Sequence, residues 1–165
     1  MTIIGFDPSL RHTGYAVVKI AHPTPPTALD YGVLRVCSSL RPSQCLQKIY
    51  NLTLELIEKY QPMHAALEGI IYLQNAAVAI TLGAARGVIL LALESKAIPT
   101  YEYAPRRIKQ AATGLGNSGK NQVANMMRSL FRLDHTPTHD IADALAIAWT
   151  HYQSILAPMS PTKAL

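Results

Sequence analysis

The chain has 165 residues, a length typical of one globular domain built on a single core. Apolar residues make up 49% and charged residues 15%, which excludes an intrinsically disordered chain. Lysine and arginine outnumber aspartate and glutamate by 15 to 10, and the net charge of +5 favours a polyanionic partner. The two cysteines, Cys37 and Cys45, are too few for a disulfide-stapled secreted domain and lack zinc-site spacing. We therefore expect a protein of the reducing cytoplasm.

Two apolar segments bear on targeting. Residues 1–6 are shorter than the apolar core of a signal peptide and lack its basic start. The run Ala76–Leu93 is nearly long enough to span a bilayer, but Arg86 lies near its middle, where a charge would be costly in lipid. We expect this run to be a helix packed in protein, either within the chain's own core or against a second copy, and we expect no membrane association.

Strand and helix patterns follow one another in an α/β order. Three short runs rich in isoleucine and valine come first and predict an antiparallel meander, with the proline-rich segment 22–27 as a hairpin loop. Helical periodicity and further buried strands follow, which indicates a mixed sheet flanked by helices. The predicted strands are Thr2–Phe6, Tyr15–Ile20, Tyr31–Val36, Ala65–Leu67 and Ile98–Tyr103. The predicted helices are Leu46–Tyr60, Ala76–Leu93, Arg106–Ala112, Gln122–Leu133 and Ile141–Tyr152. Residues 1–157 are expected to form one domain, and residues 158–165 a disordered tail.

Four of the ten acidic residues stand at notable positions. Asp7 follows the first predicted strand and Glu68 follows the fourth. Asp140 and Asp143 are spaced i and i+3 at the start of the last predicted helix, so they share one helix face. If the first and fourth strands are neighbours and the last helix packs over their ends, all four carboxylates converge.

Taken singly, most of these residues have a simpler interpretation. Asp7 precedes a proline and would serve to cap a turn. Asp140 is a common N-cap residue, and Asp143 would gain from the helix dipole. Glu68 is harder to explain in this way, because a carboxylate within a buried apolar run needs a partner.

Taken together, the four carboxylates predict a metal centre. Packed into one small cavity they would repel one another, and some would stay protonated at neutral pH. Oxygen ligands without a cysteine or histidine cluster suit Mg²⁺ or Mn²⁺, which would remove that repulsion. Two such ions about 4 Å apart can activate a water and stabilise the leaving oxygen in phosphodiester hydrolysis.

A basic stretch fits a nucleic-acid substrate. Residues 104–133 contain no aspartate or glutamate but six basic side chains, which suits a phosphate-binding surface, although an ordinary solvated face would have the same composition. They are Arg106, Arg107, Lys109, Lys120, Arg128 and Arg132. Within this stretch, residues 114–121 nearly match a nucleotide-binding P-loop but have Asn121 where a hydroxyl should ligate Mg²⁺. We interpret this glycine loop as a DNA-phosphate contact and not an ATP site.

Several short motifs, in this order and spacing, carry a family resemblance. They are Ile4-Gly5-Phe6-Asp7-Pro8, Thr13-Gly14-Tyr15, Leu82-Gly83-Ala84-Ala85-Arg86-Gly87, Tyr101-Glu102-Tyr103-Ala104-Pro105, Lys109, the glycine loop with Lys120, and Asp140-Ile141-Ala142-Asp143-Ala144-Leu145-Ala146. Over about residues 2–155 the chain resembles the RuvC family of bacterial Holliday junction endonucleases. The resemblance implies a ribonuclease H-like fold, with a five-stranded mixed sheet of three antiparallel and two parallel strands flanked by helices.

The resemblance also implies an activity and its partners. A homodimer would nick two opposed strands of a four-way junction in recombination and repair, leaving 5′-phosphate and 3′-hydroxyl ends. Two Mg²⁺ ions per active site are implied, with Mn²⁺ able to substitute, and the RuvA–RuvB branch-migration proteins are the implied partners.

The family's metal ligands and DNA contacts map onto particular residues of this chain. Asp7, Glu68, Asp140 and Asp143 correspond to the four catalytic ligands, with Asp7 bridging both ions. Lys109 and Lys120 correspond to the conserved lysines, and we add Arg106 to the expected DNA contacts. Two positions depart from the family pattern: Ser9 replaces a glycine, and Ile71 replaces a base-handling phenylalanine, whose role Tyr72 would take over by stacking. His139, beside Asp140, would assist with protons only if it is not simply solvated.

Two other functions remain open on the sequence. A related nuclease of the same fold would act on RNA–DNA hybrids or flaps and leave a junction whole. A junction-binding protein without catalysis would have lost one or more of the four carboxylates, all of which are present.

Overall fold

The computed structural model describes residues 1–69, 75–156 and 165. Its strands are β1 (Thr2–Asp7), β2 (His12–Ala21), β3 (Thr24–Arg35), β4 (His64–Glu68) and β5 (Thr100–Tyr103). Its helices are α1 (Pro42–Tyr60), α2 (Ala76–Ser95), α3 (Pro105–Thr113), α4 (Lys120–Phe131) and α5 (His139–Leu156). Of the predicted tail, only Leu165 lies within the described residues.

The five strands form one mixed sheet in the order β3-β2-β1-β4-β5. β1, β2 and β3 pair antiparallel as a meander, while β4 pairs parallel with both β1 and β5. The predicted five-stranded mixed sheet is confirmed, including the neighbouring placement of the first and fourth strands.

The pleat of the sheet assigns side chains to two apolar layers. On one face, Ile3 and Ala66 pack with the buried side of α5 and with α3 and α4. On the opposite face, Ile4 and Leu67 pack with α1 and α2. Alternation along a strand therefore decides which helices each side chain meets.

The predicted hairpin loop at residues 22–27 is wrong in its extent. β3 begins at Thr24 and includes Pro25 and Pro26, so only two residues separate β2 from β3. The order of strands explains this, because β3 lies at the edge of the sheet and pairs on one side only. A proline whose missing N–H would face the open side removes no hydrogen bond from the sheet. Irregular pairing between β2 and β3 also accommodates the prolines.

Within the part of the chain that is described, α2 is the one helix long and apolar enough to cross a membrane. That property concerns length and composition only, and the helix packs against α1 and the sheet. Arg86, in its middle, is 8% exposed and forms an ion pair with Glu102 of β5. The helix is thus held to the sheet, as expected from its central charge.

Candidate active site

Asp7 and Glu68 lie side by side at the ends of neighbouring parallel strands. Phe6 of β1 pairs in register with Leu67 of β4, and the two carboxylates are the next residues along each strand. Both side chains point to the sheet face covered by α5, because they share the parity of Gly5 and Ala66. The parallel pairing thus brings together two acids that are 61 positions apart in the sequence.

Two glycines allow α5 to lie directly on the sheet. A Cβ at Gly5 would stand 2.3 Å from the backbone oxygen of Ala144, and one at Gly14 would stand 2.3 Å from that of Asp140. Both clashes involve backbone atoms of α5, so no side-chain adjustment would relieve them. The absence of side chains at these positions brings the N-terminal part of α5, which carries Asp140 and Asp143, close to Asp7.

Three carboxylates and two lysines line one cavity of about 240 Å³. Its polar wall consists of Asp7, Glu68, Asp143, Lys109 and Lys120. Apolar side chains from α3, α4 and α5 complete the wall: Pro105, Ile108, Val123 and Ile147. Asp140 is not among the described lining residues, but its charge acts on both Asp7 and Asp143.

The electrostatics of the cavity show how closely these acids interact. Burial raises the pKa of Asp7 from its ordinary 3.8 to about 7; the other three carboxylates add to the rise, and Lys120 opposes it. Burial and then the charge of Asp143 raise the pKa of Glu68. Burial also raises the pKa of Asp143, against the opposing charges of Lys120 and His139. The cavity therefore holds negative charge that is only partly neutralised by its lysines.

The glycine loop and its flanking helices supply the positive side of the site. Lys109 lies on α3, and Lys120 is the exposed first residue of α4. Between them, the hydroxyls of Thr113 and Ser118 are 2.6 Å apart and brace the loop. His139 is exposed, as expected for a solvated histidine, with its Nε2 3.0 Å from Asn121 Oδ1.

The donor set of this cavity fits a hard divalent cation. All of its acidic donors are carboxylate oxygens. Burial first, and then the neighbouring carboxylates, disfavour the ionised form of Asp7, and a bound cation would offset both effects. Across residues 1–69, 75–156 and 165, no three side chains among histidine, cysteine, aspartate and glutamate are arranged closely enough to enclose a metal ion. Side-chain rotation would therefore accompany binding, in keeping with like charges that repel one another.

The predicted site residues differ in how the structure places them. Asp7, Glu68 and Asp143 share the cavity with both lysines, and Asp140 lies in the adjoining first turn of α5. Asp140 is not the N-cap: Thr138 accepts the first helical hydrogen bond, from Ala142, and α5 begins at His139. Arg106 is exposed on α3 beside the glycine loop. Tyr72 lies outside the described residues.

Sequence reasoning missed two side-chain networks near the site. Arg86 donates to the backbone oxygen of Glu68 and to the carboxylate of Glu102. On the other face, His151 lies between His64 and Tyr103, with hydrogen bonds of 2.9 and 2.7 Å. Alternation along β5 places the side chains of Glu102 and Tyr103 on opposite faces of the sheet. No sequence signal identifies which helix each of them contacts.

Comparisons with known proteins agree on one family. The family model for crossover junction endodeoxyribonuclease RuvC matches residues 3–151. A protein of that name from Akkermansia muciniphila is 42% identical over 151 residues, covering 92% of this chain and 90% of the relative. Another, from Halorhodospira halophila, is 40% identical and covers 96% of this chain and 93% of the relative.

Solved structures give the same result. The structure of Thermus thermophilus RuvC in complex with a Holliday junction substrate aligns with a TM-score of 0.89 and 31% identity, covering 100% of this chain and 99% of that one. The yeast mitochondrial Holliday junction resolvase aligns at a TM-score of 0.64 and 14% identity, covering 93% of this chain and 81% of that one, and shares the fold.

Proposed function

Because this chain belongs to the RuvC family of crossover junction endodeoxyribonucleases, we propose that it resolves four-way DNA junctions by nicking two opposed strands. The observation that carries the proposal is the cavity where Asp7, Glu68 and Asp143 meet Lys109 and Lys120. A cluster of carboxylates bordered by lysines suits a substrate that carries phosphate and a reaction that needs divalent cations. Recombination and DNA repair are the processes that such a cut serves.

The four acids would hold the cations. Asp7, Glu68, Asp140 and Asp143 offer oxygen donors from β1, β4 and α5, and Asp7 interacts with all three of the others. We assign Asp7 the central place in this ligand set, which would hold two ions, Mg²⁺ in the cell with Mn²⁺ as a substitute. When bound, these ions supply activation of water for attack on phosphorus and stabilisation of the departing 3′ oxygen.

The lysines would hold and orient the phosphate that is cut. Lys109 and Lys120 face the same cavity as the acids, and their charges lower the pKa of Glu68 against the effect of burial. A cation at this place draws a phosphate oxygen toward the carboxylates and offsets the charge that develops on it. Arg106 and the loop amides extend this positive surface along the DNA backbone, and we add Tyr72 as a stacking contact to a base.

We assign the protein a dimeric state through α2. One outward face of this helix carries the exposed Ile80, Gly87 and Leu91 and the half-buried Gly83, spaced as neighbours. A Cβ at either glycine would have nothing within 4 Å, so a second helix can approach this face closely. Twofold symmetry suits a junction, which offers two equivalent strands. Sedimentation should show a dimer that Ile80→Asp converts to a monomer.

The remaining assignments follow from the family. We take residues 1–157 as the nuclease domain, and the RuvA–RuvB branch-migration proteins as its cytoplasmic partners. The expected products are a 5′-phosphate and a 3′-hydroxyl, which DNA ligase can rejoin directly. Resealing of the cut strands by ligase without prior end repair would test this assignment.

A strand-resolved cleavage assay tests the function as a whole. A synthetic four-way junction, a linear duplex and an RNA–DNA hybrid are incubated with the protein, with and without Mg²⁺. We expect paired nicks in two opposed strands of the junction, only with the cation, and no cut in the other substrates. Preferred cutting of the hybrid would instead indicate a ribonuclease, and binding without any cut would indicate a junction-binding protein.

A further inference from the structure

Arg86 is a buried cation in the middle of an apolar helix. Within the described part of the chain it donates hydrogen bonds to two residues, one on β4 and one on β5. Its Nη1 donates to the backbone oxygen of Glu68 at 3.1 Å. Its Nη2 donates to Oε2 of Glu102 at 2.7 Å. The side chain of Arg86 is 10% exposed, so the guanidinium is largely removed from water and depends on these partners.

Strand parity places the two glutamates on opposite faces of the sheet. Glu102 pairs in register with Leu67, whose side chain packs on the α1 and α2 layer, so Glu102 points toward Arg86. Glu68, one residue further along β4, points to the other face and into the carboxylate cavity. Arg86 therefore acts on Glu68 through its backbone and leaves its carboxylate available to the cavity.

The peptide unit that follows Glu68 is held at both of its polar atoms. Its oxygen accepts from Arg86, and its N–H, which belongs to Gly69, donates to the backbone oxygen of Tyr103 at 2.8 Å. Fixing this peptide plane fixes the backbone dihedral on the far side of the Glu68 Cα, at the last residue of β4. That dihedral, together with the sheet hydrogen bonds of β4 that precede Glu68, sets the direction in which the Glu68 side chain leaves the strand.

A guanidinium is suited to make both contacts at once, through two separate nitrogens. Its planar fork presents separate N–H groups to the carbonyl and to the carboxylate, whereas a lysine ammonium is a single point at the end of a flexible stem. The charge of Glu102 compensates that of Arg86, and removing it would leave a buried cation without its ionic partner.

We propose that Arg86 and Glu102 form a positioning pair that holds Glu68 in register with Asp7, so that helix α2 sets the geometry of the carboxylate cluster. This inference rests on the proposed function for its consequence, since a misplaced Glu68 weakens a cation site only if the cluster binds cations. Arg86 touches neither substrate nor the reacting atoms. It belongs to the layer that orients a ligand, where substitution costs about 10–100-fold in metal affinity or activity.

The test uses two variants and one matched control in the full chain. Arg86→Lys keeps the charge and loses the fork, and Glu102→Gln keeps the shape and loses the partner's charge. Ile89→Val is the control, because Ile89 lies one turn from Arg86 on α2, is 0% exposed, and packs in the apolar layer away from the cavity. The control shows how reduced packing of α2 alone changes the measured properties.

Two measurements separate positioning from stability. Binding of Mn²⁺ to the DNA-free protein is followed by electron paramagnetic resonance, and exchange of the Gly69 amide proton is followed by NMR in chelator. We expect Arg86→Lys to weaken Mn²⁺ binding about 10-fold or more and to speed Gly69 exchange beyond that of Ile89→Val at equal loss of melting temperature. Glu102→Gln should move both readouts in the same direction by a smaller factor.

Folded variants whose Mn²⁺ binding and Gly69 exchange match those of Ile89→Val would overturn the positioning role. If Arg86→Lys does not fold, Glu102→Gln decides the matter, because it leaves the guanidinium in place. A wild-type protein that fails to cut junctions would refute the proposed function instead, and Gly69 exchange would then decide the positioning role without reference to cleavage.

Discussion

Replacing Asp7 by asparagine should make the metal-free protein more stable while abolishing its nuclease activity. Asp7 is half-buried at the end of β1, and its removal from water, followed by the charges of three other carboxylates, raises its pKa from 3.8 to about 7. A raised pKa means that the folded state binds the proton more tightly than the unfolded state does. Stability due to this group is therefore lost as pH rises from about 4 to about 7, and the full penalty is present above pH 7.

The size of the penalty follows from the two pKa values. Each pH unit between 3.8 and about 7 is worth about 1.36 kcal/mol, so the ionised Asp7 costs the fold about 4 kcal/mol at pH 8. At pH 5 most of the folded protein carries a protonated Asp7, and the same calculation gives a destabilisation of about 2 kcal/mol. Asparagine does not titrate, but it loses the attraction of Lys120 and still buries an amide. We expect a net gain of about 2–4 kcal/mol at pH 8.

Thermal unfolding in chelator is the suitable assay. For a chain of this size each kcal/mol moves the melting temperature by about 2–4 °C, so Asp7→Asn should melt about 5–15 °C above wild type at pH 8. The difference should shrink to less than half at pH 5. Addition of Mg²⁺ should narrow the gap at pH 8, because a cation that binds the folded wild-type cluster stabilises it by mass action.

The control and the refuting result are specific. Glu55 is exposed on α1, and Glu55→Gln should change stability by less than about 0.5 kcal/mol at either pH. If Asp7→Asn gains no stability at pH 8, or gains as much at pH 5, then burial and the neighbouring carboxylates do not disfavour the ionised Asp7. Persistent junction cleavage by Asp7→Asn would independently show that Asp7 is not essential to the chemistry.

Four further substitutions test the cluster and the helix that lies over it. Lys109→Ala and Lys120→Ala should each weaken junction binding and reduce the slope of log K against log salt by about one, and unchanged slopes would remove them from the DNA surface. Gly14→Ala, which places a Cβ against the backbone oxygen of Asp140, should destabilise the fold by about 1–3 kcal/mol or more and depress cleavage, measured by urea unfolding and junction assay. Burial, then the charge of His64, lowers the pKa of His151 to about 4, so stability should fall by about 3 kcal/mol between pH 6.5 and 4. Urea titrations of His151→Gln should lack that acid-side loss, and an unaltered pH dependence would contradict the assignment.

The convergence of the acids was predictable because it depends on strand ends. Asp7 and Glu68 each follow a short apolar run, and parallel strands bring their carboxyl ends to one edge of a sheet. The spacing of Asp140 and Asp143 is enough by itself to place both on one face of a helix. These local patterns needed two topological assumptions. The pairing of β1 with β4 satisfies the first, and the close approach of α5 at Gly5 and Gly14 satisfies the second.

Other features depend on tertiary context that local pattern does not carry. Pro25 and Pro26 look like loop residues, and only the edge position of β3 lets them belong to a strand. The sequence marks Arg86 merely as a charge unsuited to lipid. Its partner, Glu102, belongs to a strand whose neighbours and facing helix depend on the whole topology.

Packing of α5 and β4 keeps the carboxylates of the site close together although their charges repel one another. Burial together with the neighbouring charges makes an ionised Asp7 cost about 4 kcal/mol, a large part of the 5–15 kcal/mol by which domains are stable. Gly5 and Gly14 let α5 lie on the sheet, and any retreat of that helix would forfeit the contacts of its fully buried face. Arg86 holds the end of β4 from the opposite side of the sheet. The acids therefore remain near one another without a cation. Binding of a cation would then stabilise the folded protein by offsetting the cost of their ionisation.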